Sequence, residues 1–361
     1  MDKSYGANHG FDRVNRRRFL KYGSMCLGAN LLASCSPSHQ NRLIEITPNS
    51  TSLKQLDHVT LSTEWVAQAE HGGFYQAVAT GIYKAHGLNV TIKQGGPRAN
   101  NNLLLMSGAV DFIIGYAADA INSVAAGVPK ITVAAPFQKD PRVLIAHPNT
   151  GNDSLEDLKG KPILVSSAAT VSYWPFLKAK YGFTDDQKRP YNFDTAPFLA
   201  DQDLIQQGYL TSEPFEIERK GGFQPVVLLL ADYGYNPYTN TIETRTQLVE
   251  MNPDLVQRFV DASIKGWYSY LDDPTPGNKL IQQDNPQMTD EQIAYSVQKL
   301  KDYDIVNSGD AKNLGIGAMT DDRWADFFKS TAAIGVFDST TDYRAAYTLK
   351  FVNKGADYYK F

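Results

Sequence analysis

The sequence predicts an α/β protein of two lobes followed by a helical closing segment, and three observations predict it. Short β-rich runs alternate with helix-length amphipathic segments from residue 57 to residue 231, the pattern of parallel βαβ units. The chain beyond residue 56 holds about 305 residues, more than one hydrophobic core usually covers. From Asn252 onward the pattern turns helical.

The elements follow in order. Residues 58–63 form a short β-rich run. Residues 73–86 place Phe74, Ala77, Val78 and Ile82 at helical spacing, and Gly87 stops that helix. Residues 88–93 alternate as a strand, 100–107 are helical, 110–115 form a buried apolar strand, and 117–126 form a helix ending at Gly127. Strands at 131–136 and 143–146 complete the first block. A second block starts near Ser154, with a strand at 163–166, helices at 173–181 and 198–207, and an apolar strand at 226–231. Pro253 suits a first helical turn, and 255–271 carries Leu255, Phe259, Ala262 and Trp267 on or near one face. Thr289 and Thr320 each precede acidic residues, as at the positive end of a helix. Residues 57–148 and 240–361 are thus expected in lobe 1 and 149–239 in lobe 2, with crossings near 148–154 and 232–241. Ligand is expected in the interlobe cleft, with closure by hinge motion.

The first 34 residues read as an address. Arg16 and Arg17 form a twin-arginine pair followed by Phe19, Leu20 and Lys21. The apolar run at 22–33 is too short for a spanning helix, which needs roughly 20 residues. Leu32-Ala33-Ser34-Cys35 resembles the bacterial lipobox, which makes Cys35 the expected lipidation site and membrane anchor. Residues 35–56, rich in Ser, Pro, Asn, Thr and Gln, read as a flexible tether. The expected location is the periplasm, as a membrane-anchored lipoprotein.

The two cysteines are Cys26 and Cys35, so the body offers no disulfide framework, no Cys-based zinc site and no thiol nucleophile. The chain has 35 Lys and Arg against 39 Asp and Glu, of which residues 1–34 hold six bases and two acids. The remaining 29 bases against 37 acids give a net charge of −8, with no basic block, which disfavours nucleic acid as a partner. Gly315-Ile316-Gly317 lacks a third glycine and a strand–turn–helix setting. No catalytic set, metal spacing or cofactor motif is present, so no cofactor is expected.

Five stretches carry a family resemblance. They are 65–77 (WVAQAEHGGFYQA), 81–90 (GIYKAHGLNV), 110–115 (VDFIIG), 157–162 (DLKGKP) and 209–215 (YLTSEPF). Together, in this order and spacing, they resemble the thiamine-pyrimidine and nitrate/sulfonate/taurine group of periplasmic binding proteins. The resemblance implies a two-lobe type II periplasmic-binding-protein fold. It also implies a monomer that hands a small molecule to an ABC permease and its ATPase. The thiamine branch binds formylated or hydroxymethylated aminopyrimidines, the first ligand expectation; riboflavin-type, nitrate, sulfonate or taurine ligands are the alternatives. The group also includes fungal pyrimidine-forming enzymes with a Cys-rich motif. This body has no such cysteines, so a binding protein rather than an enzyme is expected.

Candidate ligand residues follow from strand ends and from the resemblance. Glu213 matches the acid that hydrogen-bonds the aminopyrimidine in the thiamine branch, and a carboxylate accepts from an exocyclic amine; a capping acid is the alternative. Trp65 lies past the first strand, where an aromatic face can stack on a flat ring or pack between lobes. His71, Gly73 and Tyr75 belong to a turn entering the first helix, where backbone amides can meet a ligand. Tyr116 and Asp119 follow the third strand and Gln138 the fourth; Ser166, Ser167 and Thr170 follow the first strand of lobe 2. Each is equally a cap or turn residue. Trp174, Tyr233, Tyr235 and Tyr238 can cover a ring or pack between lobes. An anionic ligand would want Arg or Lys at the cleft, since a guanidinium fork pairs with oxyanions, and Arg98 and Arg142 are the candidates.

Overall fold

The computed structural model describes residues 55–360, so the twin-arginine segment, Cys35 and most of the tether lie outside the described residues. The first four strands are β1 (Asp57–Ser62), β2 (Leu88–Lys93), β3 (Phe112–Tyr116) and β4 (Lys130–Ala134). The next five are β5 (Arg142–Ala146), β6 (Ile163–Val165), β7 (Lys188–Pro190), β8 (Ile205–Tyr209) and β9 (Val226–Leu229), and β10 (Thr239–Arg245) returns to the first sheet. One sheet runs β2-β1-β3-β10-β4 and the other β7-β6-β8-β5-β9. In each, one antiparallel strand lies among parallel ones: β10 between β3 and β4, and β5 between β8 and β9.

Those two strands correct the expected boundary. Residues 143–146 were placed in lobe 1, but β5 pairs inside the second sheet, so the chain crosses before Arg142 and not at 148–154. A run such as Val143-Leu144-Ile145-Ala146 fixes a buried strand without naming its partner. The chain returns between β9 and β10. The expected helix at 198–207 is also replaced, by a short helix Ala196–Ala200 and then β8. Ile205-Gln206-Gln207-Gly208-Tyr209 looks unlike a strand, yet hydrogen bonding to β6 and β5 on its two edges makes it one.

Helix ends follow their caps. Asn252, Thr289 and Thr320 accept from the backbone N–H groups of Leu255, Gln292 and Arg323, opening helices Pro253–Asp272, Asp290–Asp302 and Asp321–Ala332. The first of these packs on helix Gly72–Ala79, burying Trp267 against Phe74 and Phe137, with centroids 6.0 and 5.4 Å away. Phe112 and Phe259 stack at 3.9 Å beneath the same sheet. Each such buried ring contributes roughly 1.5–3 kcal/mol. The register of β10 is further fixed by charge: buried Lys130 of β4 lies 2.6 Å from both Asp119 and the fully buried Glu243 of β10.

Candidate ligand-binding site

The C-terminal ends of β1, β3, β6, β7 and β8 converge on one cleft of about 630 Å³ between the two sheets. This is where open α/β sheets hold ligands. Lobe 1 supplies Glu64, Trp65, Gln68, Glu70, His71 and Tyr116. Lobe 2 supplies Arg142, Ser166, Tyr173, the Tyr191–Phe193 turn after β7, Gln207, Tyr209 and Glu213.

Aromatic rings face each other across the mouth. Trp65 lies 4.4 Å from Phe193, centroid to centroid, and Phe193 lies 5.1 Å from Tyr191. Phe193 has φ of +60°, a conformation that bulky residues seldom adopt, and its side chain is half-exposed. Deeper in, the Tyr209 hydroxyl donates to that of Tyr116 at 3.1 Å, joining the lobes. The Arg142 guanidinium lies 4.3 Å over the Tyr116 ring. Gln207 Oε1 accepts from Tyr173 Oη and from the Ser166 N–H, and its amide NH₂ has no hydrogen-bond partner among the described residues.

Carboxyls set the electrostatics. Glu213 Oε2 accepts from the Tyr209 N–H at 2.8 Å and Oε1 from the Tyr191 hydroxyl at 3.3 Å. Gly208 permits this approach, because a Cβ there would lie 2.8 Å from Ile145 and 3.0 Å from Glu213. Burial pushes the Glu213 carboxyl up to about 7, with the Tyr209 N–H partly opposing the rise. Glu70 is buried; it accepts from the Thr211 hydroxyl of lobe 2, and its Oε2 has no partner among the described residues. Burial likewise raises its carboxyl. Burial opposes charge on His71, but Glu64 at 3.1 Å from Nε2 raises the imidazole above its usual value.

Of the residues expected from sequence, Trp65, His71, Tyr116, Ser166, Ser167 and Glu213 line the cleft, as does Arg142. Five do not. Gly73 packs on the closing helix, where a Cβ would lie 2.3 Å from Trp267. Tyr75 is buried one turn on and donates to Asp284 at 2.9 Å. Gln138 is consumed by the fold: its amide donates to the carbonyls of Ala135 and Ala318, and its oxygen accepts from Arg323. Thr170 is exposed outside the lining, and Tyr235 is buried against Tyr173 and Phe176. Asp119 belongs to the Lys130 cluster, Trp174 donates to Asp185, and Tyr238 bonds Asp310. Arg98 is exposed and outside the lining.

Sequence reasoning missed Tyr191, Phe193, Gln207 and Tyr209. The signal for Tyr191, Phe193 and Tyr209 was position alone, since each ends or follows a strand of lobe 2, whereas Gln207 lies in the middle of β8. Among the described residues no group of three or more His, Cys, Asp or Glu is placed to hold a metal ion. No helix among them is long and apolar enough to cross a membrane.

Comparison with known proteins adds a family and a fold. The sequence model of the family described as NMT1/THI5 like matches residues 68–276. The riboflavin-binding protein RibY of Chloroflexus aurantiacus is 25% identical over 340 residues, covering 90% of this chain and 95% of its own. The alkanesulfonate-binding protein SsuA from Xanthomonas axonopodis pv. citri superposes with a TM-score of 0.60 at 13% identity, over 81% of this chain and 99% of that one. The desulfurization enzyme DSZB gives 0.51 at 15% identity, over 82% and 97%. The structural likenesses establish the fold, that of the periplasmic binding proteins.

Proposed function

The chain belongs to the NMT1/THI5-like family, and from that premise we propose that it is the solute-binding component of an ABC importer, acting as a monomer on a flat heterocycle of the flavin type. The observation that carries this reading is the group of rings from both lobes, Trp65 against Phe193 and Tyr191, at the mouth of a cleft of about 630 Å³. That volume lies within the range of pockets for drug-sized ligands, roughly 300–1,000 Å³. A fused ring stacks on such faces, while Gln207, Glu213 and Glu70 offer a donor and acceptors to its edge. The name of the Chloroflexus relative supports the same ligand class.

Export through the twin-arginine signal and anchoring at Cys35 belong to the proposal. Cys35→Ser protein is expected in the soluble fraction, and its continued sedimentation with membrane would overturn the anchor.

A second reading, a thiamine-type aminopyrimidine, is favoured by Glu213, whose carboxyl can meet an exocyclic amine. Titrating riboflavin while following flavin fluorescence tests the first reading. Saturable, stoichiometric quenching without turnover supports it. Silence with riboflavin but a thermal shift with hydroxymethyl- or formylaminomethyl-pyrimidine hands the site to the second. No response to either sinks both.

A further inference from the structure

We infer that this cleft selects uncharged ligands and rejects anions, so that it takes a heterocycle in its free form and refuses the phosphate ester and small sulfonates. The inference rests on the cleft being the ligand site. It stands on how the cleft's cations are already engaged.

Among the described residues two cationic side chains line the cleft, His71 and Arg142. His71 lies 3.1 Å from Glu64, and its side chain is 1% exposed. Arg142 lies 3.0 Å from the fully buried Asp140, whose other oxygen accepts from the Arg142 backbone N–H at 2.9 Å. Tyr116 covers a face of the guanidinium at 4.3 Å. Each cation thus already has a carboxylate partner, which offsets the attraction it would exert on an oxyanion.

Carboxyl groups outnumber the cations. Glu64, Glu70 and Glu213 all line the cleft. Glu213 is also the first residue of helix Glu213–Gly221, so its own carboxyl side chain lies beside the positive helix end that would otherwise attract an anion. The Glu70 oxygen without a partner gives a second acceptor, matched by a ligand N–H or O–H. An anion entering here loses its water and meets no unpaired cation, so at least ~100-fold discrimination is expected between free and phosphorylated ligand.

Two arms test this on the purified protein. In the first, riboflavin and FMN are titrated by calorimetry, and methanesulfonate, sulfate and inorganic phosphate by thermal shift. Weakening of FMN by about 100-fold or more, with no saturable response to the three anions, is the expected result. FMN binding as tightly as riboflavin, or saturable binding of any of the anions, overturns the inference. The second arm uses Asp140→Asn, which keeps an acceptor for Arg142 but removes its counter-charge. This variant is expected to gain saturable stabilisation by sulfate or methanesulfonate that the parent lacks, and a folded variant still indifferent to both overturns the argument. If Asp140→Asn fails to fold, Glu64→Gln assayed below the imidazole pKa frees His71 for the same measurement. Absence of heterocycle binding with the anion arm as expected would instead remove the proposed ligand and leave the charge selection standing.

Discussion

Glu213 yields a prediction that can be worked to a number. Burial holds its carboxyl at about 7 against an ordinary 4.5. Between those values the folded protein keeps a proton that the unfolded chain has released, so stability falls as pH rises through the window. At about 1.36 kcal/mol per pH unit, the full displacement amounts to about 3 kcal/mol. The side chain carries no penalty below about pH 4.5 and the whole of it above about pH 7. Glu213→Gln removes the titration but keeps an oxygen for the Tyr209 N–H. Urea denaturation of ligand-free parent and variant, from about pH 5 to about pH 8, reads the difference. The two proteins should have similar stability at the acid end, with the variant ahead by up to about 3 kcal/mol at the basic end. A gap that does not change with pH would refute burial as the origin of the raised carboxyl. A parent more stable than the variant at about pH 8 would reverse the sign of the reasoning.

Other expectations come from the same geometry. Trp65→Ala removes the lobe 1 face of the ring pair, so riboflavin affinity should fall by roughly 1–3 kcal/mol with the melting temperature of the free protein little changed; an unaltered Kd would exclude stacking on this ring. Gly73→Ala drives a methyl into Trp267 and should lower stability by about 1–3 kcal/mol or more in urea, while the folded fraction keeps its ligand affinity; a selective affinity loss at full stability would return Gly73 to the site. Lys130→Met strands the buried Glu243 and should cost about 3–5 kcal/mol by denaturation, against under about 1 kcal/mol if the cluster is solvated.

Much of the fold was legible because its signals are local. Asn252, Thr289 and Thr320 mark helix starts by the chemistry of their own side chains, and each caps in the structure. What was not legible depends on partners far along the chain. β8 is a strand because β5 and β6 flank it, and β5 lies in lobe 2 because β8 and β9 do. The cleft divides the same way. Trp65, Tyr116, Ser166 and Glu213 were visible as residues at expected strand ends or in a family motif. Tyr191 and Phe193 follow β7, a three-residue edge strand, Lys-Arg-Pro, with no apolar pattern to announce it. Gly73 and Tyr75 were misplaced because sequence cannot say which side of a helix start faces the cleft; both turn toward the closing helices instead.

The placement of β10 between β3 and β4 has a consequence for how the protein is made. All strands of the second sheet lie in one unbroken stretch, from residue 142 to residue 229, whereas the first sheet is split around it. As the chain leaves the ribosome, the second lobe can complete its sheet while the first still has a gap between β3 and β4. Those two edges wait for residues 239–245, and the buried Lys130 waits with them for the carboxylate of Glu243. The lobe synthesised first is therefore the last to close, and a nascent chain stalled before residue 239 would present two unpaired strand edges to its surroundings.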